Sequence, residues 1–237
     1  MKLTTFGSSS AGNAYALEFD DGRILLLEAG LPYANVYRAF PGRWKDIIGC
    51  LITHEHGDHA RYVEEYDGNG IDIYASKGTM EVLNEKHYLK HQKSFQCNTI
   101  VHLEPSKAFH AFDVLHNAAD PVGYLIVDRE TKESLVFITD TSYFKPYFTG
   151  VNYMMVECNH INADPSHPWS KHHMNLENCL RFLKVCDLKK THKIILIHLS
   201  DTNSNEQIMV DTIKNSTHVD TIAASKGLVV ELKKDPF

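Results

Sequence analysis

Apolar and polar positions along this chain fall into short runs that switch between a period of two and a period near 3.6. Lys2–Phe6 and Ala14–Phe19 read as strands, and Asp20-Asp21-Gly22 predicts a hairpin joining Ala14–Phe19 to Arg23–Leu27. Pro32–Phe40 reads as a short helix with proline in its first turn. Ile47–Ile52 is mostly apolar, as in a buried strand, followed by a helix at Ala60–Tyr66, a strand at Ile71–Ala75 and a helix at Lys77–Asn84. Thr99–Leu103 and Ala108–Leu115 alternate like strands. Tyr124–Val127 and Ser134–Ile138 predict a hairpin turning at Arg129–Lys132, and Tyr153–Val156 a further strand. Asn175 caps a helix whose Leu176, Cys179, Leu180, Leu183 and Cys186 follow a 3.6 period, with Leu188–His192 as its exit. Ile194–Ile197 is a buried strand, Asn205–Ile213 a helix and Leu228–Leu232 a closing strand.

The polar residues that end these strands carry the chemistry. Ile47–Ile52 runs directly into Thr53-His54-Glu55-His56-Gly57-Asp58-His59, which packs three imidazoles and two acidic side chains into seven residues. In extended backbone His54 and His56 point to one side, and Gly57 permits a turn that swings Asp58 and His59 toward a second point. Imidazole and carboxylate ligands suit Zn(II) or Mn(II), with Fe(II) also compatible. One tetrahedral ion needs four ligands, so this density implies two ions side by side. The same ending recurs: His116, Asp140 and His198 each follow an apolar strand.

Composition narrows the classes. The 237 residues are 43% hydrophobic and 23% charged, enough for one domain spanning 1–237, and no linker, repeat or low-complexity stretch divides them. No apolar run approaches the ~20 residues that span a bilayer, and the N-terminus lacks a signal-peptide core. Five cysteines without framework spacing read as reduced thiols, which implies a cytoplasmic protein. A formal net charge of −6 argues against nonspecific coating of nucleic acid by charge. It leaves room for a nuclease whose metals carry the phosphate contacts.

The motif and the order of strand endings resemble the metallo-β-lactamase-fold superfamily, along essentially the whole chain. The resemblance implies an α/β (α+β) fold, a four-layer αββα sandwich with two metals at one sheet edge. It implies one ion on His54, His56 and His116, a second on Asp58, His59 and His198, and Asp140 bridging, since a carboxylate has two oxygens. Gly7-Ser8-Ser9-Ser10-Ala11-Gly12-Asn13, His116 through Gly123-Tyr124, Glu157-Cys158-Asn159-His160 and His198-Leu199-Ser200 look like the WalJ/YycJ-type branch, which is associated with DNA exonuclease activity and is related to ribonuclease Z. Relatives there carry Gly-His-Leu-Ser-Asn where this chain has His172-His173-Met174-Asn175. Glu28 stands where the superfamily usually has an aspartate bracing the metal histidines. No long arm of the kind that grips tRNA in ribonuclease Z is visible.

The resemblance implies a dinuclear metal-dependent hydrolase, a phosphodiesterase on nucleic acid, DNA before RNA, acting as a 5′-to-3′ exonuclease does. A water between two cations loses its proton near neutral pH and supplies the nucleophile. By analogy with the glutamate–histidine pair of ribonuclease Z, His173 would protonate the leaving oxygen and Glu157 orient or charge it. Asp58 is a candidate catalytic carboxylate as well as a ligand. A small-molecule hydrolase opening a cyclic phosphodiester, lactone or thioester on the same metals is the alternative, and a metal-stabilised binding protein a third. Two stretches stay open. Gly7–Asn13 is either a plain turn or a border of the site offering N–H and hydroxyl groups to phosphate. Lys86-His87-Tyr88-Leu89-Lys90-His91-Gln92-Lys93 is either a solvated helix face or a patch tracking a nucleic-acid backbone.

Overall fold

In a computed structural model of the chain, the strands read from the sequence, together with two that its pattern did not mark, pair into two sheets of seven. The structure describes residues 1–143, 147–163, 166 and 168–232. The N-terminal half builds β1 (Lys2–Ser9), β2 (Gly12–Glu18), β3 (Ile24–Leu27), β4 (Ile47–Leu51), β5 (Ile73–Ser76) and β6 (Gln92–Phe95). The C-terminal half builds β7 (Ile100–His102), β8 (Lys107–Asp113), β9 (Val122–Asp128), β10 (Glu133–Ile138), β11 (Tyr153–Glu157), β12 (Lys193–Ile197), β13 (Asp220–Ala223) and β14 (Val229–Glu231). One sheet has the order β14-β1-β2-β3-β4-β5-β6 and the other β13-β12-β11-β10-β9-β8-β7. The last strand thus crosses back to pair antiparallel with the first, Leu3 opposite Val230.

Helices cover the outer faces: α1 (Ala34–Ala39), α2 (Gly57–Ala60), α3 (Val63–Gly68) and α4 (Lys77–Lys86) accompany the first sheet. The second is flanked by α5 (Leu176–Val185) and α6 (Glu206–Thr217). Strands buried on both faces read as continuous apolar runs. Their alternate residues serve different layers. Leu25 and Leu27 of β3, Tyr153 and Met155 of β11 and Ile195 and Ile197 of β12 enter the core between the sheets. Ile24 and Leu26 face the first helical layer, and Met154, Val156, Ile194 and Leu196 face the second. Aromatic rings fill the centre of the inter-sheet core: Phe109 packs edge-on against Tyr74, Phe95 and Tyr124 at 5.2–5.9 Å. Asn175 and Asn205 cap α5 and α6, accepting from the Asn178 and Ile208 amides at 2.8 and 3.1 Å.

The four-layer αββα architecture agrees with the sequence reading, and several local expectations change. The Gly7–Asn13 stretch is no loop: β1 runs on to Ser9 and β2 starts at Gly12. The helix expected at Ala60–Tyr66 is two short helices, α2 and α3. α5 stops at Val185, with Cys186 extended beyond it, and adds Phe182 to the buried stripe. The strands β6 and β13 escape the pattern. β6 exposes Gln92, Lys93 and Ser94 at a sheet edge, so no alternation marks it; backbone pairing with β5 alone defines it. Lys86–Lys93 is therefore not a helix face, because α4 ends at Lys86. The histidine- and proline-rich loop before His173 falls partly outside the described residues.

Candidate metal centre

Five strand ends deliver the polar side chains to one edge of the sandwich. β4 ends at Leu51 and leads through Thr53 into His54, His56 and the α2 residues Asp58 and His59. β8 is followed by His116, β10 by Asp140 and β12 by His198, while β11 ends in Glu157 itself. Because β10, β11 and β12 are mutually parallel, their carboxyl ends share this edge, where open α/β sheets present their sites.

The seven predicted ligands meet there in two groups. His54 Nε2 and His116 Nε2 each lie 3.1 Å from His56 Nδ1. Asp140 Oδ2 completes this group at 3.7 Å from His54 and 3.5 Å from His116. In the second group, His59 Nε2 lies 3.2 Å from Asp58 Oδ2 and 3.3 Å from Asp140 Oδ1. His198 Nε2 lies 3.5 Å from Asp58 Oδ2, and its Nδ1 2.5 Å from Asp140 Oδ1. Asp140 sends one oxygen to each group, as a bridging carboxylate must.

These donors fit divalent cations. Tetrahedral bonds of about 2.0–2.2 Å put ligand atoms roughly 3.3–3.6 Å apart, close to the spacings found in both groups. Lone pairs of neighbouring imidazole nitrogens repel at 3.1 Å unless a proton or cation lies between them. Among the described residues, buried His198 Nε2 has no hydrogen-bond partner, and an orphaned buried polar atom costs about 1–3 kcal/mol. A cation at the second group would satisfy it. Burial holds His54 and His116 below the usual imidazole range, keeping them in the ligating form. For His59 and His198 burial opposes charge, but the Asp140 carboxylate and its neighbours outweigh it and push both rings up. Burial likewise opposes ionisation of Asp58 and Asp140, yet His198 and His59 hold both carboxyls well below the usual range.

A buried shell orients the ligands. Thr53 Oγ1 lies 3.0 Å from His54 Nδ1, and His116 Nδ1 lies 3.1 Å from the His172 carbonyl, which accepts its proton. Glu28, fully buried, accepts from the Thr53 amide at 3.3 Å and places its other oxygen 3.5 Å from His59 Nδ1. Glu28 sits at φ +64°. Asp140 and His198 also sit at positive φ, +45° and +54°. Three non-glycine residues in this sparsely populated region mark a backbone bent to serve the site.

The β1–β2 hairpin supplies a group that sequence reasoning missed. Asn13 Nδ2 lies 3.3 Å from His59 Nε2 and 3.4 Å from both Asp58 Oδ2 and the Asp58 carbonyl. The Tyr15 hydroxyl donates to Ser8 Oγ at 2.7 Å, and Ser8 Oγ accepts from the His198 amide at 2.9 Å. Gly7–Asn13 thus borders the centre; only its glycine- and serine-rich composition hinted at this.

His173 and Glu157 are brought together at the same edge. His173 Nδ1 lies 2.6 Å from Glu157 Oε1 and 3.9 Å from Asp140 Oδ2. The other Glu157 oxygen accepts from the Thr141 and Met174 amides, each at 3.0 Å. Burial opposes charge on His173, and the Glu157 carboxylate outweighs it, raising the ring's affinity for a proton. An open cleft of about 410 Å³ reaches the centre, walled by Ser10, Asp58, Asn117, Asp140, His172 and His173. The basic segment lies elsewhere. β4, β5 and β6 are parallel, and the metal motif leaves the carboxyl end of β4 while Lys86–His91 precedes the amino end of β6. Acids occupy it there: Asp67 accepts from the Lys90 and His91 amides, and Lys93 lies 3.7 Å from Asp72.

Comparison with known proteins agrees with this geometry. The chain is similar to exodeoxyribonuclease WalJ of Streptococcus pneumoniae, 27% identical over 242 residues that cover 90% of this chain and 87% of the relative. It is 27% identical to exodeoxyribonuclease YycJ of Bacillus anthracis, covering 88% and 86%. Among solved structures, the metallo-beta-lactamase fold protein YhfI from Bacillus subtilis superposes with a TM-score of 0.75 at 18% identity, covering 97% of this chain and 98% of that one. The short form of human tRNase Z gives 0.72 at 16%, covering 98% and 100%. The model of the beta-lactamase superfamily domain matches residues 23–199, three-quarters of a sequence whose ligands, sheet order and strand endings fit that fold, and the chain belongs to that superfamily.

Proposed function

We infer that the chain is a two-metal phosphodiesterase acting on nucleic acid, with DNA as the substrate and exonucleolytic cleavage as the mode. The carrying observation is the Glu157–His173 pair, set beside the seven-ligand centre in an open polar cleft. A phosphodiester needs both charge neutralisation and a proton for the departing alkoxide; a lactone or thioester hydrolase would favour a closed, mostly apolar pocket. The exodeoxyribonuclease names of the relatives support the reading. A core drawn from both sheets supports residues 1–237 acting as one hydrolase domain. No described helix is long and apolar enough to cross a membrane; five free thiols support a reducing, cytoplasmic setting.

His54, His56 and His116 would hold one Zn(II) or Mn(II), and Asp58, His59 and His198 the other, with Asp140 shared. When bound, the ions supply an acidified water and neutralise phosphoryl oxygens. The residues of the chain do the rest. Asn13 holds Asp58 in place, and Asp58, 21% exposed at the cleft, orients the attacking water, whose proton passes to solvent. Water oxygen forms the new P–O bond as the bond to the leaving oxygen breaks. His173, held through Nδ1 by Glu157, gives its proton to that oxygen from the other ring nitrogen.

A panel assay tests the reading. Metal-reconstituted protein is offered end-labelled single- and double-stranded DNA, RNA, bis(p-nitrophenyl) phosphate and a lactone. Shortening of DNA from one end is expected; hydrolysis of the lactone with no cleavage of either nucleic acid would refute the reading. Elemental analysis showing no metal after reconstitution with Zn(II) and Mn(II) would remove its basis.

A further inference from the structure

The metal cleft does not end at His173. A polar cavity of about 260 Å³ continues from it, lined by Ser10, Asn159, His173, Ser200, Thr202 and Asn203. It shares Ser10 and His173 with the metal cleft. At Ser200 it meets a further cavity of about 380 Å³, on the side of the β1–β2 hairpin facing β13 and α6. Shared lining residues link the three cavities in a row, a path from the metal centre past His173 and the hairpin tip.

The far cavity has a chemistry of its own. Phe6, Leu31, Leu199 and Ala223 give it apolar walls. Leu31 is seated there because Gly7 and Gly12 have no side chain: a Cβ on either would lie within 2.7 Å of it. Around these walls stand the hydroxyls of Ser204 and Ser225, the carboxylates of Asp201 and Glu206, and Lys226. The volume lies within the range of small-ligand sites. Apolar walls suit a flat ring. Carboxylates repel phosphate oxygens but accept from exocyclic amino groups of bases and from the hydroxyl of a strand end. A nucleoside matches both, with Lys226 exposed at the rim for an adjoining phosphate.

His173 stands where the metal cleft and this path join. A group that protonates the leaving oxygen must have the departing part of the substrate on its far side, along the path. We propose that the far cavity is a nucleoside subsite that grips the leaving-group portion of a nucleic-acid substrate; this rests on the nuclease reading above. Contacts remote from the reacting phosphate then contribute to transition-state binding, and substrates long enough to reach the cavity are cleaved faster than those confined to the metal cleft.

The test compares kcat/KM for bis(p-nitrophenyl) phosphate with that for single-stranded oligodeoxynucleotides of increasing length. Ser225→Trp fills the cavity from one wall, and Asp201→Trp from another; both positions are exposed. Each variant is expected to lose about tenfold or more in kcat/KM for the oligonucleotides. Bis(p-nitrophenyl) phosphate, too short to leave the metal cleft, is expected to react at the wild-type rate in both. Unchanged oligonucleotide cleavage in both variants overturns the subsite, as do equal losses on both substrates. Wild-type protein that hydrolyses bis(p-nitrophenyl) phosphate and no oligonucleotide removes the nuclease reading and the subsite with it, a pattern neither variant can produce.

Discussion

Gly30→Ala is expected to dismantle one half of the metal centre and spare the other. Gly30 follows β3 and passes so close to α2 that an added Cβ would lie 1.8 Å from the Asp58 carbonyl oxygen and 2.5 Å from its carbon. On its other side it would meet the Asn13 amide nitrogen at 2.8 Å. All three contacts are backbone, so no side chain can rotate away. The Asp58 carbonyl must retreat to at least 3.0 Å, the shortest separation real Cβ atoms tolerate. The carboxylate of Asp58 and the neighbouring His59 move with it, whereas His116 is carried by the other sheet. A misplacement of about 1 Å costs roughly 10²-fold in rate, and disturbed support of ligands costs about 10–100-fold in metal affinity. Overpacking of this kind destabilises by about 1–3 kcal/mol, a Tm decrease of roughly 2–12 °C for a chain of this size. The assay is metal content after dialysis against buffered zinc, read beside Tm and the rate on bis(p-nitrophenyl) phosphate. About one ion per chain is expected to remain, on His54, His56 and His116. Gly68→Ala, where a Cβ meets nothing within 4 Å, should behave as wild type. A Gly30→Ala protein with wild-type metal content and rate would refute the reasoning.

His173→Ala should keep both metals while slowing cleavage of a diester with an alkoxide leaving group by about 10²–10⁴-fold; a p-nitrophenolate leaving group needs little proton donation, so equal losses on both would exclude His173 as the acid. Glu157→Gln should show the same selectivity with smaller amplitude, since its amide cannot hold the charged ring. Replacing Lys86, Lys90 and Lys93 by alanine should leave the salt dependence of substrate binding unchanged, because the segment lies at the opposite strand ends from the centre; a shallower slope would show that it contacts the backbone. Burial opposes ionisation of Glu18, but Lys2 and Arg43 outweigh it and hold the carboxyl below 4.5. Its stabilising share is present above 4.5 and is lost as pH falls through the depressed folded value, so Glu18→Gln should flatten the acid limb of Tm against pH. Phe109→Ala empties the centre of the inter-sheet core and should cost about 3–5 kcal/mol, read as a lowered denaturant midpoint; a loss under about 1 kcal/mol would mean the rings around it collapse into the space.

The candidate ligands stood out in the sequence because the runs that carry them begin just beyond apolar stretches that read as buried strands. His54, His116, Asp140 and His198 all follow that rule, and parallel strands carry their ends to one edge. Helix α5 was legible for a similar local reason, the cap at Asn175 and the 3.6 period after it. Partners set by distance in space were not. Asn13, Tyr15 and Ser8 reach the centre only because the hairpin folds against α2 and the end of β12, and no local periodicity encodes that contact. β6 has no apolar alternation and exists because β5 offers it a ladder. The basic run Lys86–Lys93 shows the converse: its composition left a solvated helix face and a substrate contact both open, and the direction of one short strand placed it at the far end of the sheet. Residue types and their spacing determined which atoms could bind a cation; long-range packing decided what holds those atoms and which cavities open beside them.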